Sequence, residues 1–527
     1  MTALARPPCD EAVIRSASRG ARGCPEDAKR WVLATTILGS SMAFIDGSVV
    51  NVALPVIQSD LDTSVSGAQW VVNAYMLMLS ALILVGGAAG DRFGRRRVFV
   101  IGVAVFTAAS VACGLAPGSG MLIAARAVQG IGGALLVPSS LAIISASFPE
   151  SERGRAIGTW AGFSALTMAL GPVLGGWLVD VWSWRLIFLV NVPIAAAALY
   201  LARRVPESRG ESEAPVDWRG ALLAVAGLGA IVEGLTAASQ LEWRQPAVFG
   251  SLLGGAILLA LFLRHEASTP SPMVPLELFR SRVFAGTNLM TFLLYFALGG
   301  ALFFLPFNLI RIQRYSAALA GAAFLPFTLL MGVLSRWSGG LVDRYGARLP
   351  LTAGPLIAAA GFALLAVPGI GGSYWTTFFP PMLVQGLGMA VSVAPLTTTV
   401  MGAVPTQHAG AASGINNAVA RLAGMLAVAV LGAVAVSVFG EALERRLGLL
   451  QVPPALRQAV LEEVPRLVEA RVPPGAGELR AALERALAQS FVTSFRAVML
   501  VAAGLAVLSS VCAWLSLADP SRARRSG

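Results

Sequence analysis

Charge is the first thing this chain has little of. Only 13% of its 527 residues are Asp, Glu, Lys or Arg, about half the usual share of a soluble domain. A soluble globular fold is thereby excluded, and 56% apolar residues with a mean hydropathy of +0.73 point to a polytopic membrane protein. Lysine occurs once, at Lys29, so no Gly-x-x-x-x-Gly-Lys-Ser/Thr string exists to cradle a nucleotide phosphate. ATP is not expected to drive what the protein does. Histidine is limited to His265 and His408, read as lying in polar connections, and Cys9, Cys24, Cys113 and Cys512 are scattered. Neither a metal site nor a disulfide framework follows from that spacing, so no metal and no cofactor are expected.

What is present is a series of apolar runs separated by arginine. They predict spans at 31–55, 68–90, 98–115, 121–146, 156–179, 186–201, 222–237, 247–263, 283–309, 318–341, 349–368, 375–400, 409–439 and 497–517. Fourteen crossings put both termini on one side. The net charge of +11 would prompt a search for nucleic acid in a soluble chain, but the basic residues sit between the spans and are read as topology determinants. Arg92, Arg95, Arg96, Arg97, Arg153, Arg155, Arg203, Arg204, Arg280, Arg282, Arg344 and Arg348 all fall on the side of the termini, which the positive-inside rule makes cytoplasmic. The chain divides into an arm at 1–30, six spans over 31–202, an inserted pair with linkers at 203–282, six spans over 283–517, and a tail at 518–527. Between the last two spans, residues 440–490 are too polar for the membrane, and their periodic Leu, Val and Arg predict two short amphipathic helices outside it.

The two sixes repeat. GAAGDRFGRRR at Gly87 to Arg97 recurs as GGLVDRYGAR at Gly339 to Arg348, pairing Asp91 with Asp343 and Arg92 with Arg344. RAVQGIGGAL at Arg126 to Leu135 recurs as MLVQGLGMAV at Met382 to Val391, and FPESERGRAIG from Phe148 as VPTQHAGAASG from Val404. The matches come in order at nearly one offset, which makes the halves duplicates in the same orientation. Their mismatches are informative, because a feature needed only for folding is expected in both copies. Arg126 becomes Met382, Gly171-Pro172 becomes Ala427-Val428, and Asp46 falls near Gly300.

A parallel six-plus-six duplication resembles the major facilitator superfamily, an all-α polytopic membrane fold of two six-helix bundles around a midplane site. The Gly-x-x-x-Asp-Arg-x-Gly-Arg-Arg loop is similar to the superfamily's signature. The extra central pair resembles the fourteen-span drug:proton antiporters of the EmrB and QacA type, as do IDGSVVNVALP from Ile45, SWRLIFLVNVP from Ser183 and PLELFRSR from Pro275. The resemblance implies a multi-pass protein of a bacterial cytoplasmic membrane. It implies a small-molecule substrate and protons as partners, and a monomer with room for an accessory export partner. The inserted pair would lie away from the central cavity.

Only Asp46 and Glu233 among the carboxylates fall clearly inside spans, and an ion at bilayer depth is a functional hypothesis by default. Asp46 lies in the first span, which lines the cavity in the superfamily. A rise of about 1.5 Å per residue puts Asp46 roughly 14 Å in from Pro55 and Arg126 roughly 8 Å in from Met121, within an arginine's reach. Such a pair favours the charged carboxylate while desolvation favours the protonated one, the opposition that lets a carboxylate gain and lose a proton. The alternative is that Arg126 satisfies backbone carbonyls. Glu233 belongs to the inserted pair and is either a second proton carrier or a bonded acid. Arg421, near Asn416 and Asn417, either binds an anionic or polar part of the substrate or is neutralised structurally. Trp70, Tyr75, Met76, Met78, Trp160, Met168, Phe292, Tyr295 and Phe296 line the cavity or simply pack.

Two stretches carry the expected conformational machinery. Gly171, Pro172, Gly175 and Gly176 resemble the superfamily's antiporter motif, where small residues allow close helix approach and proline kinks the helix. Gly87, Asp91, Arg92, Gly94 and Arg95, with Asp343 and Arg344, resemble its cytoplasmic gating motif, a charge relay across the inner ends of the halves. The expected function is proton-coupled export of hydrophobic or cationic drug-like compounds, in the manner of a multidrug and antibiotic-resistance pump. A dedicated exporter of one metabolite and an importer are the transporter alternatives, and the Gly-Pro motif speaks against import. A membrane enzyme would need a nucleophile, base or metal constellation that the spans do not offer.

Overall fold

The computed structural model describes residues 26–209, 217–238, 245–270, 272–404 and 409–517, so the start of the arm, the tail and His408 lie outside the described residues. Every regular element among them is helical. In chain order, α1 spans Glu26–Asp60, α2 Val65–Phe93, α3 Arg95–Gly114, α4 Ser119–Ser147 and α5 Glu150–Val181. α6 (Leu186–Leu189) and α7 (Asn191–Ala202) share the sixth crossing. α8 (Trp218–Ala237) and α9 (Pro246–Ser268) are the inserted pair. The second bundle begins with α10 (Arg282–Phe307), which runs into a π turn over Asn308–Ile312, followed by α11 (Ala317–Ala322) and α12 (Leu325–Gly339). It continues through α13 (Leu341–Tyr345), α14 (Arg348–Leu365), α15 (Tyr374–Thr377), α16 (Phe379–Gly402), α17 (Ala409–Leu449), α18 (Pro454–Leu461) and α19 (Arg480–Ser516).

Hydrocarbon offers the backbone no hydrogen-bond partner, so an apolar run must satisfy its own amides and winds into helix. Among the described residues, 12 helices are long and apolar enough to cross a membrane. Two shorter apolar stretches, Leu170–Val181 and Leu186–Ala202, stand where the fifth and sixth spans are expected. Hydroxyls inside the spans fold back on the preceding turn, as Ser140 does on the Leu136 carbonyl at 2.8 Å. Ser64, Asp217, Ser281 and Ser316 cap the starts of α2, α8, α10 and α11.

Glycine explains why the repeated VQG-x-G strings look alike. A Cβ on Gly130 would meet the Tyr75 carbonyl at 2.5 Å, and one on Gly132 the Phe106 amide at 2.5 Å, so α4 rides directly on the backbones of α2 and α3. In the second copy Gly386 faces Phe327 of α12 and Gly388 faces Ala358 of α14. The duplicated residues are the ones that pack.

One expectation is corrected. The segment at 440–490 is not a detached loop with two helices, because α17 continues to Leu449 and α19 already starts at Arg480. Leu443, Leu447, Leu483 and Leu487 are buried in the main core, so the two long helices extend past the apolar runs as a packed hairpin. Between them lie one short helix, α18, and 3-10 turns. Burial against protein, rather than lipid, holds this part helical.

The inserted pair has its own logic. Leu77 of α2, Val232 of α8, and Met425 and Ala429 of α17 bury one another, so α8 sits against both bundles, and α9 packs on α8.

Candidate functional site

Asp46 of α1 and Arg126 of α4 are 0% and 1% exposed, and the structure places them in contact: Arg126 Nη1 donates to Asp46 Oδ2. Gln129 completes the unit. It lies three residues after Arg126 on the same face of α4, donates from Nε2 to Asp46 Oδ1 at 2.9 Å, and accepts from Arg126 Nη1 at 2.8 Å. Arg126 Nε donates to the Val71 carbonyl at 3.0 Å, and the guanidinium carbon lies 4.3 Å from the Tyr75 ring centre and 5.7 Å from that of Phe188. Both carboxylate oxygens are thus occupied and the cation is shielded by aromatic faces.

The network reaches two helices further. Gln129 Nε2 is 3.3 Å from Ser110 Oγ, which accepts from Asn191 at 3.0 Å and donates to the Phe188 carbonyl at 2.8 Å, where α6 gives way to α7. Gln129, Ser110 and Asn191 are not among the residues singled out from the sequence. A glutamine one turn from a membrane arginine was the available signal for the first. Nothing in the sequence marks Ser110, whose link depends on helix packing.

The other candidates are dispersed. Glu233 Oε2 accepts from the Trp70 indole at 3.0 Å, which ties α8 to α2 and keeps this acid out of the Asp46 network. Asn416 donates to Asn288 Oδ1 at 3.2 Å and Thr291 Oγ1 at 2.7 Å, so it joins α17 to α10, while Asn417 is exposed. Arg421 has no hydrogen bond or ion pair among the described residues, and the ionisable groups acting on it are Tyr75 and Tyr295.

The antiporter-like stretch meets two partners. Gly171 and Gly175 abut Ser48 and Val49 of α1, whereas Gly176 abuts the Ala317 carbonyl, and Gly321 abuts the Pro172 carbonyl. The backbones of α5 and α11 therefore touch across the two bundles. Asp180 reinforces the seam by accepting from the Ala317 and Ala318 amides at 2.9 and 2.7 Å. Further bonds cross at this end: Arg311 to the Pro55 carbonyl at 2.9 Å, Gln58 to the Arg466 carbonyl at 3.2 Å, and Arg466 to Asp62 at 3.2 Å. The polar segment after α17 thus helps to close the end remote from the arginine clusters.

The arginine-rich end is organised around the Gly87 to Arg97 loop. Gly94 takes a φ of 107°, a left-handed conformation that suits glycine, and turns α2 into α3. Asp91 pairs with Arg95 at 2.8 Å within the loop, Arg95 also reaches the Ala142 carbonyl, and Glu207 accepts from the Arg96 and Arg97 amides. Arg92 is exposed over Phe93, Gly87 approaches Pro138, Arg344 lies over Tyr345, and the Asp343 side chain is outside the described residues. The hydrogen bonds of the described residues of the Gly87 to Arg97 loop go to α2, α4 and the segment after α7. Nearby, Asp217 accepts from Gly220 N and lies 2.9 Å from His265 Nε2. Burial works to raise the Asp217 carboxyl, yet the bonds from Gly220 and His265 outweigh it and hold it below the ordinary carboxylate range.

The family model described as Major Facilitator Superfamily matches residues 36–428. The chain is 37% identical over 434 residues to multidrug resistance protein Stp of Mycobacterium tuberculosis (strain CDC 1551 / Oshkosh), covering 82% of this chain and 80% of that one. It is 31% identical over 513 residues to the tetracenomycin C resistance and export protein of Streptomyces glaucescens, covering 95% and 93%. A bacterial homologue of the human lysosomal transporter Spinster, solved inward-facing and unoccupied, shares the fold with a TM-score of 0.65 at 18% identity, over 94% of this chain and 100% of that one. A multi-pass membrane transporter rather than an enzyme, the chain belongs to the major facilitator superfamily.

Proposed function

We propose that this protein is a proton-driven antiporter that exports small hydrophobic, antibiotic-like compounds across the cytoplasmic membrane, with both termini in the cytoplasm. The observation that carries the reading is the buried Asp46, Arg126, Gln129 unit, whose charged members are missing from the second half, where Met382 stands for Arg126 and Gly300 near the place of Asp46. Protonating Asp46 removes the counter-charge of a fully buried guanidinium, and an uncompensated buried charge costs several kcal/mol. That cost is a lever: binding of a proton favours rearrangement of α1 against α4, and release restores the pair. Its relatives' names, multidrug resistance for one and resistance and export for another, support outward transport.

On this orientation the end closed by α5 and α11 faces outside, as a state that takes cargo from the cytoplasm or inner leaflet requires. One proton falling through about 150 mV supplies about 3.5 kcal/mol, enough for roughly a few hundred-fold gradient of a neutral compound. A dedicated exporter of a single natural product uses the same machinery, and the tetracenomycin relative, matched over nearly its whole length, favours that variant. The test is ethidium or substrate efflux from energised cells and inverted vesicles carrying the wild type or Asp46→Asn, with and without a protonophore. Protonophore-sensitive efflux that Asp46→Asn abolishes is the expected result; equal efflux by both proteins overturns Asp46 as the coupling group.

A further inference from the structure

The charges at membrane depth do not balance, and the surplus is positive. Asp46 is spent on Arg126, and Glu233 is held by Trp70 at the α2–α8 contact. Arg421 of α17 is left over: it has no hydrogen bond or ion pair among the described residues, and the bonds of Asp46 and Glu233 go to Arg126, Gln129 and Trp70 instead. A guanidinium carries five donors, no acceptor, and a charge it does not shed in a protein. A half-buried guanidinium at this depth is a ready partner for an anionic group that occupies the seam in the working cycle.

The neighbours of Arg421 are polar and also unspent. On α17 it lies between Asn416, which bonds Asn288 and Thr291 of α10, and Val428, whose carbonyl accepts from Gln69 of α2, so Tyr75 of α2 and Tyr295 of α10 flank the same seam. Tyr75 turns its hydroxyl to the Ala43 carbonyl at 3.5 Å, but the Tyr295 hydroxyl has no partner among the described residues. Asn73, one turn along α2 from the Gln69 that bonds the Val428 carbonyl of α17, is 0% exposed, and neither atom of its amide finds a hydrogen bond. Phe292 and Phe296, a turn apart on α10 and close to Tyr295 in the chain, pack with ring centres 5.8 Å apart. The seam therefore offers one cation, one hydroxyl, one amide and an aromatic wall, and no negative group.

We infer that the cargo is a hydrophobic, aromatic molecule bearing one acidic oxygen, a carboxylate or ionised phenol, and that this oxygen pairs with Arg421. A cationic drug, allowed by the sequence, meets repulsion from Arg421 there. The inference uses the export reading for the direction of movement, whereas the binding preference stands independently of it.

Three probes that share one aromatic body test it: 2-naphthoate, neutral 2-naphthamide and cationic 2-naphthylmethylamine, by equilibrium dialysis against the purified full chain in detergent at neutral pH. A charge-assisted bond predicts that wild type binds naphthoate roughly 10- to 100-fold more tightly than the amine. Arg421→Gln erases that preference, and Arg421→Lys keeps its sign with a smaller ratio. Tyr295→Phe, which leaves the charge in place, weakens naphthoate several-fold and leaves the amine unchanged; it serves as the second variant if Arg421→Gln does not fold. The inference is overturned if the amine binds as tightly as naphthoate, if none of the three binds, or if the preference survives in Arg421→Gln. Acid-driven uptake of naphthoate into inverted vesicles is read separately: its absence alongside intact Arg421-dependent binding upholds the acidic-cargo inference and refutes export.

Discussion

Gly176 and Gly321 are where the closed end can be opened by a single methyl group. A Cβ on Gly176 would meet the Ala317 carbonyl oxygen, with the Ala317 carbonyl carbon at 2.5 Å and Ala318 Cα at 2.6 Å. One on Gly321 would meet the Pro172 carbonyl oxygen, with the carbonyl carbon at 2.5 Å and Val173 N at 3.1 Å. All of these are backbone atoms, which no rotamer change moves, and carbon contacts settle near 3.5–4.0 Å, so α5 and α11 must separate by roughly 1 Å. Overpacking of this kind costs about 1–3 kcal/mol. A state open at this end has parted the same surfaces and is untouched, so each substitution shifts the closed-to-open ratio by roughly 5- to 150-fold.

The assay is double electron–electron resonance between nitroxides at Val181 and Leu319, two exposed positions flanking the seam, with the native cysteines replaced. Gly176→Ala and Gly321→Ala are expected to move the distribution from short to long distances. Gly175→Ala is the control: its Cβ meets the side chain of Val49 in the same bundle, so the distribution stays as in the wild type. Unchanged distributions in both seam variants would refute the claim that the α5–α11 contact holds this end shut.

The charge pair and the Asp217 N-cap of α8 give two more expectations. Arg126→Met alone leaves Asp46 buried without its cation and is expected to lower stability by about 3–5 kcal/mol, whereas Asp46→Leu combined with Arg126→Met recovers most of the loss while transport stays abolished; thermal melts in detergent beside vesicle efflux measure both. Asp217 has its folded carboxyl below the ordinary value, so its stabilisation is full above about pH 4 and lost as pH falls through the lower folded value. Melting curves between pH 3 and pH 7 are expected to show that acid loss in the wild type and to show it reduced in Asp217→Asn, which keeps an N-capping oxygen for Gly220.

The sequence by itself determined the class, because hydropathy over twenty residues measures contact with hydrocarbon directly, and it determined the duplication, because packing glycines recur in both copies. It also brought Asp46 and Arg126 within an arginine's reach of each other, since helical rise converts residue counts into ångströms along the membrane normal. It could not tell how far α17 and α19 continue beyond the lipid, because there the helices are held by each other's leucines rather than by an apolar run. Nor could it enlist Gln129, Ser110 and Asn191 as one network, pair Glu233 with Trp70, or leave Arg421 without a counter-charge. Those outcomes depend on which faces of separate helices are turned together, and on which end of the molecule is shut. Only the tertiary structure decides them, because helix rotation and bundle closure are set by side-chain packing between elements, for which no local pattern in the chain carries a record.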